Sequence, residues 1–223
     1  MSVPPSRLFL GIIPWYGLLI ALGAALAVFL THRESVRFGF PKDCVLDLAL
    51  WVLPIGILGA RAYYVLFSLP AYRDRPLSVF YLWEGGLAIY GGLIAGAVTI
   101  IVFCAVRRLS LPMMLDFIAP GVALAQAIGR WGNYFNQEAY GVSLPADSPL
   151  AFFPLAVQIS ESGGLQWHVA TFFLESLCDF CVFLFLCRAR RKWIHRKGDV
   201  FWFYLLLYSA ARLVIEELRM DSL

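Results

Sequence analysis

Six stretches of this chain, 8–30, 45–69, 88–106, 111–129, 168–187 and 200–218, are almost continuously apolar. A helix needs about 20 mostly apolar residues to cross the hydrocarbon of a bilayer, and each stretch is close to that length. Hydrocarbon offers no hydrogen bonds, so a crossing segment must satisfy its own backbone, which a helix does. The pattern therefore predicts an all-α, polytopic transmembrane bundle of about six spans, forming one domain over 1–223. Composition agrees: 61% of residues are hydrophobic, the mean hydropathy is +0.74 and 15% are charged, against about 25% charged in soluble domains. The first stretch is longer than the ~7–15 apolar residues of a signal peptide and ends at Thr31-His32-Arg33 without a small-residue cleavage site. It is read as a span, not a leader.

A net charge of +3, with no basic cluster interleaved with exposed aromatics, gives no sign of nucleic-acid binding. Cys44, Cys104, Cys178, Cys181 and Cys187 lie in or beside apolar runs, where a thiol behaves as a small hydrophobe. Cys178-Asp-Phe-Cys181 has the spacing of a redox or metal pair but no second ligand pair. His32, His168 and His195 are scattered, so neither metal nor cofactor is expected.

Lys and Arg are distributed unevenly among the connections. The first, third and fifth carry three, two and six, eleven together, and the remaining connections and termini carry five. Arg61 and Arg212 lie within spans and complete the 18. The positive-inside rule then places the N-terminus and the long 130–167 connection outside the cytoplasm.

Charges inside spans cost at least ~2.5 kcal/mol each on insertion scales, so they mark candidate sites. Here they are Asp47, Arg61, Asp116, Glu175, Asp179, Arg212 and Glu216. Asp47 and Asp179, near span ends, are expected to reach the interface or to lock the bundle. The densest cluster follows the fourth span, Gly129-Arg-Trp-Gly-Asn-Tyr-Phe-Asn-Gln-Glu-Ala-Tyr-Gly141. A guanidinium among amide donors at a membrane face suits a lipid phosphate. Tyr208, Arg212 and Glu216 are spaced to share one helical face, which Arg219 continues. In Trp83-Glu-Gly-Gly-Leu-Ala-Ile-Tyr-Gly-Gly-Leu93, Gly92 and Gly96 suit close helix packing. The glycine pairs flanking Tyr90 suggest a ring facing an opening.

Taken together, these motifs resemble those of the bacterial prolipoprotein diacylglyceryl transferases. Arg130, Gly132, Asn133, Tyr134, Asn136, Glu138 and Gly141 match that family's central Arg-x-Gly-Asn-aromatic-x-Asn-x-Glu-x-x-Gly run. Trp15-Tyr16-Gly17, the Arg61 segment Gly59–Phe67, Asp116–Pro120 and Tyr208-x-x-x-Arg212-x-x-x-Glu216 match as well, in order along the whole chain. The resemblance implies transfer of a diacylglyceryl group from phosphatidylglycerol to the lipobox cysteine of a prolipoprotein, without a cofactor. The implied setting is the bacterial plasma membrane, with the N-terminus outside and the site open to the outer leaflet. It implies Arg130 and Arg212 on the phosphate, and Tyr16, Asn133 and Asn136 as hydrogen bonders. Glu138 and Glu216 would orient the arginines, or one of them would accept the thiol proton. Arg61, Gly91, Gly92 and Gly132 would contact substrate.

Two departures stand out. Many members carry a histidine, proposed as the base, where this chain has Tyr90; a phenol is a poor base at neutral pH, so a hydrogen-bonding role is expected for it. The family also usually continues into a seventh span beyond Arg219-Met-Asp221. A different reading of the buried charges is a small transporter with an anion path, and a third is a lipid-binding relative without activity. The first would call for an internal repeat or paired broken spans, and the sequence has neither.

Overall fold

A computed structural model describes residues 6–161, 164–192 and 196–219; His195 and Met220–Leu223 lie outside the described residues. Six helices form the frame: α1 (Trp15–Arg37), α2 (Cys44–Phe67), α3 (Ile89–Val106), α4 (Leu111–Asn136), α5 (Thr171–Lys192) and α6 (Asp199–Glu216). Of these, α1 to α4 are long and apolar enough to cross a membrane. In α5 and α6 the apolar sequence is interrupted by Glu175 and Asp179 and by Arg212 and Glu216. The helical, polytopic membrane architecture stands.

Among the helix boundaries that differ from the sequence expectation, two bear on the site. Residues 8–14 do not join α1. They form a short hairpin of β1 (Leu8–Phe9) and β2 (Ile13–Pro14), with Leu10 and Gly11 at positive φ in its turn. Beyond the fourth apolar run, α4 continues through Asn136, so Arg130, Asn133 and Asn136 sit on helix and not in a loop. The connection that follows folds into a three-stranded antiparallel sheet in the order β3 (Ser143–Leu144), β5 (Gly164–Val169), β4 (Ala156–Glu161). Val157 and Ile159 bury their side chains with Ala170 and Phe172 against Trp131 and Tyr134 of α4. Alternate residues of a strand face one side, and here that side is the end of α4.

The chain divides into two compact units, Met1–Thr31 with Leu115–Leu223, and His32–Met114. In the second unit α2 packs on α3. Gly92 and Gly96 lie against α2, as the sequence suggested. The closest approach is between Gly59 and Gly91, where a Cβ on either would run into the other's backbone. Residues 68–88 connect these helices through short 3₁₀ turns. Asp47, as expected of a charge near a span end, pairs with Arg107 at 2.6 Å.

In the first unit, Asp116 is a helix cap. Its carboxylate accepts hydrogen bonds from the backbone N–H of Gly198 (2.6 Å) and of Phe201 (3.0 Å), at the start of α6. Such caps stabilise a helix by about 0.5–2 kcal/mol. The cap ties the start of α6, the helix that carries Arg212 and Glu216, to α4.

A candidate active site of buried arginines and carboxylates

The site is built on α4, α5 and α6 of the first unit. One carboxylate, Glu175 on α5, gathers arginines from two directions. Its Oε2 lies 3.0 Å from Arg130 Nη1 on α4, and its Oε1 takes a hydrogen bond from Arg212 Nη1 on α6. Arg219 Nη1 lies 3.8 Å from the same Oε1. Glu175 is only 4% exposed, and an isolated charge at such a place would cost several kcal/mol. It is tolerated because cations surround it.

Two further carboxylates complete the cluster. Glu216 pairs with Arg212 at 2.6 Å, one helical turn along α6 as its i, i+4 spacing implied. Asp179 lies one turn after Glu175 on α5, with Oδ2 4.0 Å from Arg130 Nε. Asp179 is buried within α5 and faces Arg130. Three arginines and three carboxylates thus share one locality. A narrow cavity opens there, lined by Arg130, Glu175, Asp179, Tyr208, Arg212 and neighbouring Cys178.

Arg219 owes its place to the far end of the central motif. Gly141 pairs with Arg219 as an isolated β-bridge, and Val142 N–H donates to Leu218 O at 3.1 Å. A Cβ at Gly141 would stand 2.5 Å from Leu218 O and 2.9 Å from a methyl of Thr171, so only glycine fits this approach. His168, fully buried on β5, contacts Gly141 O through Nδ1 at 3.0 Å and braces the same junction.

The remaining residues of the central motif point elsewhere. Asn133 and Glu138 line a small cavity with Gln137, facing Val157, Gln158 and Ile159 of β4. Glu138 is exposed and accepts a hydrogen bond from Asn136 Nδ2 at 3.2 Å. The carboxylate that holds Arg130 is therefore Glu175. Glu138 is carried away from Arg130 because α4 ends at Asn136 and the chain turns through Gln137 at positive φ. Gly132 meets Tyr16 of α1, whose ring would be 2.6 Å from a Cβ there. The absent side chain leaves Tyr16 room to lie against α4.

The second unit holds the other expected residues. Arg61 is 6% exposed, and its guanidinium donates to four backbone carbonyls, of Val79 (2.8 Å), Gly85 (2.6 Å), Gly86 (3.1 Å) and Ser78 (2.6 Å). A charged group spent on carbonyls in this way clasps the 78–86 segment. Gly91 and Gly92 lie on the α3 face that packs on α2, and Tyr90 beside them is 58% exposed.

Sequence reasoning noticed Glu175 and Asp179 as charges out of place but named no partner for either. The signal was their i, i+4 spacing, which put both on one face of α5. No group of His, Cys, Asp and Glu able to hold a metal ion occurs among the described residues.

Comparisons with known proteins show the family. A family model described as prolipoprotein diacylglyceryl transferase matches residues 7–223. A protein of Limosilactobacillus reuteri (strain DSM 20016), named phosphatidylglycerol–prolipoprotein diacylglyceryl transferase, is 42% identical over 213 residues, covering 95% of this chain and 78% of its own length. Proteins with the same name from Halalkalibacterium halodurans and Enterococcus faecalis are 41% identical over 229 residues and 44% identical over 220. They cover 100% and 97% of this chain, and 78% and 79% of their own lengths.

Proposed function

The chain belongs to the prolipoprotein diacylglyceryl transferase family, and from that premise we propose that it moves a diacylglyceryl group from phosphatidylglycerol to the lipobox cysteine of a prolipoprotein. The thiol loses its proton, and the thiolate attacks the glycerol carbon that bears the phosphate. A C–S bond forms as the C–O bond breaks, and its electron pair leaves on glycerol phosphate. A thiolate is the competent nucleophile, and negative charge grows on the leaving phosphate.

The observation that supports this reading is the meeting of Arg130 and Arg212 over one cavity between α4, α5 and α6. Two guanidinium forks can hold a phosphate through paired N–H donors. Glu175 lies between the two guanidiniums. Its carboxylate keeps both forks aimed at one point, so little reorganisation remains when the phosphate arrives. Glu216 holds Arg212 from the other side.

The test is a reaction in detergent with phosphatidylglycerol and a synthetic lipobox peptide. The peptide should gain a diacylglyceryl group on its cysteine, with one glycerol phosphate released per peptide, and a serine peptide should stay unmodified. No gain under conditions where the Enterococcus faecalis protein modifies the same peptide would refute the assignment. The assay also tests Tyr90. As a hydrogen bonder it should tolerate Tyr90→His and lose less than about tenfold as Tyr90→Phe, below the 10²–10⁴-fold typical of a lost general base. A complete loss in Tyr90→Phe, with folding intact, would make it the base.

The charge asymmetry supports the orientation: the N-terminus and the sheet-bearing connection outside the cytoplasm, and the α5–α6 connection within. In a variant lacking native cysteines, a membrane-impermeant thiol reagent should label Asp147→Cys but not Lys192→Cys in intact cells. The reverse pattern would invert the topology.

A further inference from the structure

We propose that Asp179 is the group that takes the proton from the acceptor thiol, an assignment that rests on the transfer reaction described above. The site holds three buried or half-buried carboxylates, and two are already committed. Glu175 is gripped by Arg130 at 3.0 Å and by Arg212, and Glu216 by Arg212 at 2.6 Å. Asp179 differs in its distance from a cation. Its Oδ2 is buried and without a hydrogen-bond donor among the described residues, as Oε2 of Glu175 and of Glu216 also are. Arg130 Nε stands off from it at 4.0 Å, against 3.0 Å and 2.6 Å for the other two. Buried polar atoms are nearly always satisfied, and an exception calls for an explanation.

The cavity supplies one. Asp179 lines it together with Arg130 and Arg212, the two groups aimed at the leaving phosphate. A thiol brought in to attack that lipid meets an oxygen with an unused lone pair, on the wall that carries the cations. The proton passes from sulfur to Oδ2, and the thiolate forms beside positive charge. The proton then leaves with glycerol phosphate, whose new oxyanion can accept it, and the carboxylate is restored. The charged and titratable groups around Asp179 are Arg130 on α4, Glu175 and Cys178 on α5, and Tyr208 and Arg212 on α6. Tyr204 of α6 donates its hydroxyl to Gln126 Oε1 at 2.9 Å. Tyr90, where relatives carry histidine, is not required as the base.

The experiment compares Asp179→Asn with the wild type on two peptides, one with the lipobox cysteine and one with selenocysteine, whose selenol ionises unaided at neutral pH. On the cysteine peptide at pH 7, kcat should fall on the order of 10²-fold, the usual scale for a lost general base, with KM for phosphatidylglycerol nearly unchanged. On the selenocysteine peptide the two proteins should agree within about threefold. The cysteine deficit should also shrink as pH rises toward the thiol's own ionisation, near 8.5. An equal loss on both peptides at every pH would make Asp179 a positioning residue for Arg130 and overturn the proposal, as would a variant with wild-type kcat. Should Asp179→Asn fail to fold, Asp179→Glu offers the same contrast, because it keeps the acid but displaces it; loss confined to the cysteine peptide supports the proposal and equal loss refutes it. A wild-type protein that modifies neither peptide would refute the transfer reaction itself, whereas an active wild type with an unaffected variant refutes only Asp179.

Discussion

Arg130→Lys and Arg212→Lys should each lower turnover by about 10²–10³-fold, the scale measured when one preorganised donor to a developing anion is removed. Each substitution keeps the positive charge, so Glu175 retains a cationic partner and the bundle retains its electrostatic balance. What is lost is the planar fork. Lysine presents a single ammonium, which cannot hold a phosphate through two parallel N–H donors and does not sit where the guanidinium sat. The readouts are kcat in the peptide assay and thermal unfolding in the same detergent. The catalytic reading expects kcat to collapse while unfolding moves little. A structural reading expects both to move together, because a misplaced ammonium would leave Glu175 poorly compensated. Wild-type turnover by either folded variant would remove that arginine from the chemistry.

Glu175→Gln should have the largest effect on stability of any single change in the site. It leaves Arg130, Arg212 and Arg219 facing one another without the carboxylate they share. Breaking a buried pair from one side costs about 3–5 kcal/mol, chiefly because the remaining charge stays buried and uncompensated. Arg212 keeps Glu216 at 2.6 Å and Arg130 keeps Asp179 at 4.0 Å, so the cost is expected within that range. Glu138→Gln is the control. That carboxylate is exposed and bonds to Asn136, and a surface change of this kind usually stays within about 0.5 kcal/mol. Unfolding by denaturing detergent should separate the two variants by several kcal/mol. Equal stabilities would show that Glu175 is not the hub of the cluster. Activity should also fall in Glu175→Gln, since nothing then aims both forks at one point.

These expectations divide along a line that the residues themselves draw. The central motif was legible because its chemistry is dense: an arginine, two asparagines and a glutamate within nine residues, bounded by glycines. Reading it as one surface was where the sequence argument failed. The motif continues α4 by almost two turns and then leaves it, so Arg130 turns toward α5 and α6 while Asn133 and Glu138 turn toward β4. Tyr208, Arg212 and Glu216 gave no such trouble, because all three lie within one helix and i, i+4 spacing alone decides that they share a face.

What the sequence by itself determined is set by local rules and by solvent. Runs of about 20 apolar residues must be helices in lipid, and a motif carried within one helix keeps its geometry wherever the helix goes. The choice of counter-ion was beyond it. The sequence reading assigned Arg130 the nearby Glu138, 8 residues along the chain, and passed over Glu175, 45 residues away. Only packing of α5 on α4 brings Glu175 to 3.0 Å and leaves Glu138 in solvent. Arg61 shows the same limit, for its carbonyl acceptors come from a connection 17 to 25 residues away that has no periodicity to read. An ion pair in a membrane protein is a contact between distant segments, and its energy depends on burial that no stretch of sequence contains. The tertiary structure decides which charges meet, because desolvation makes every unmet charge costly.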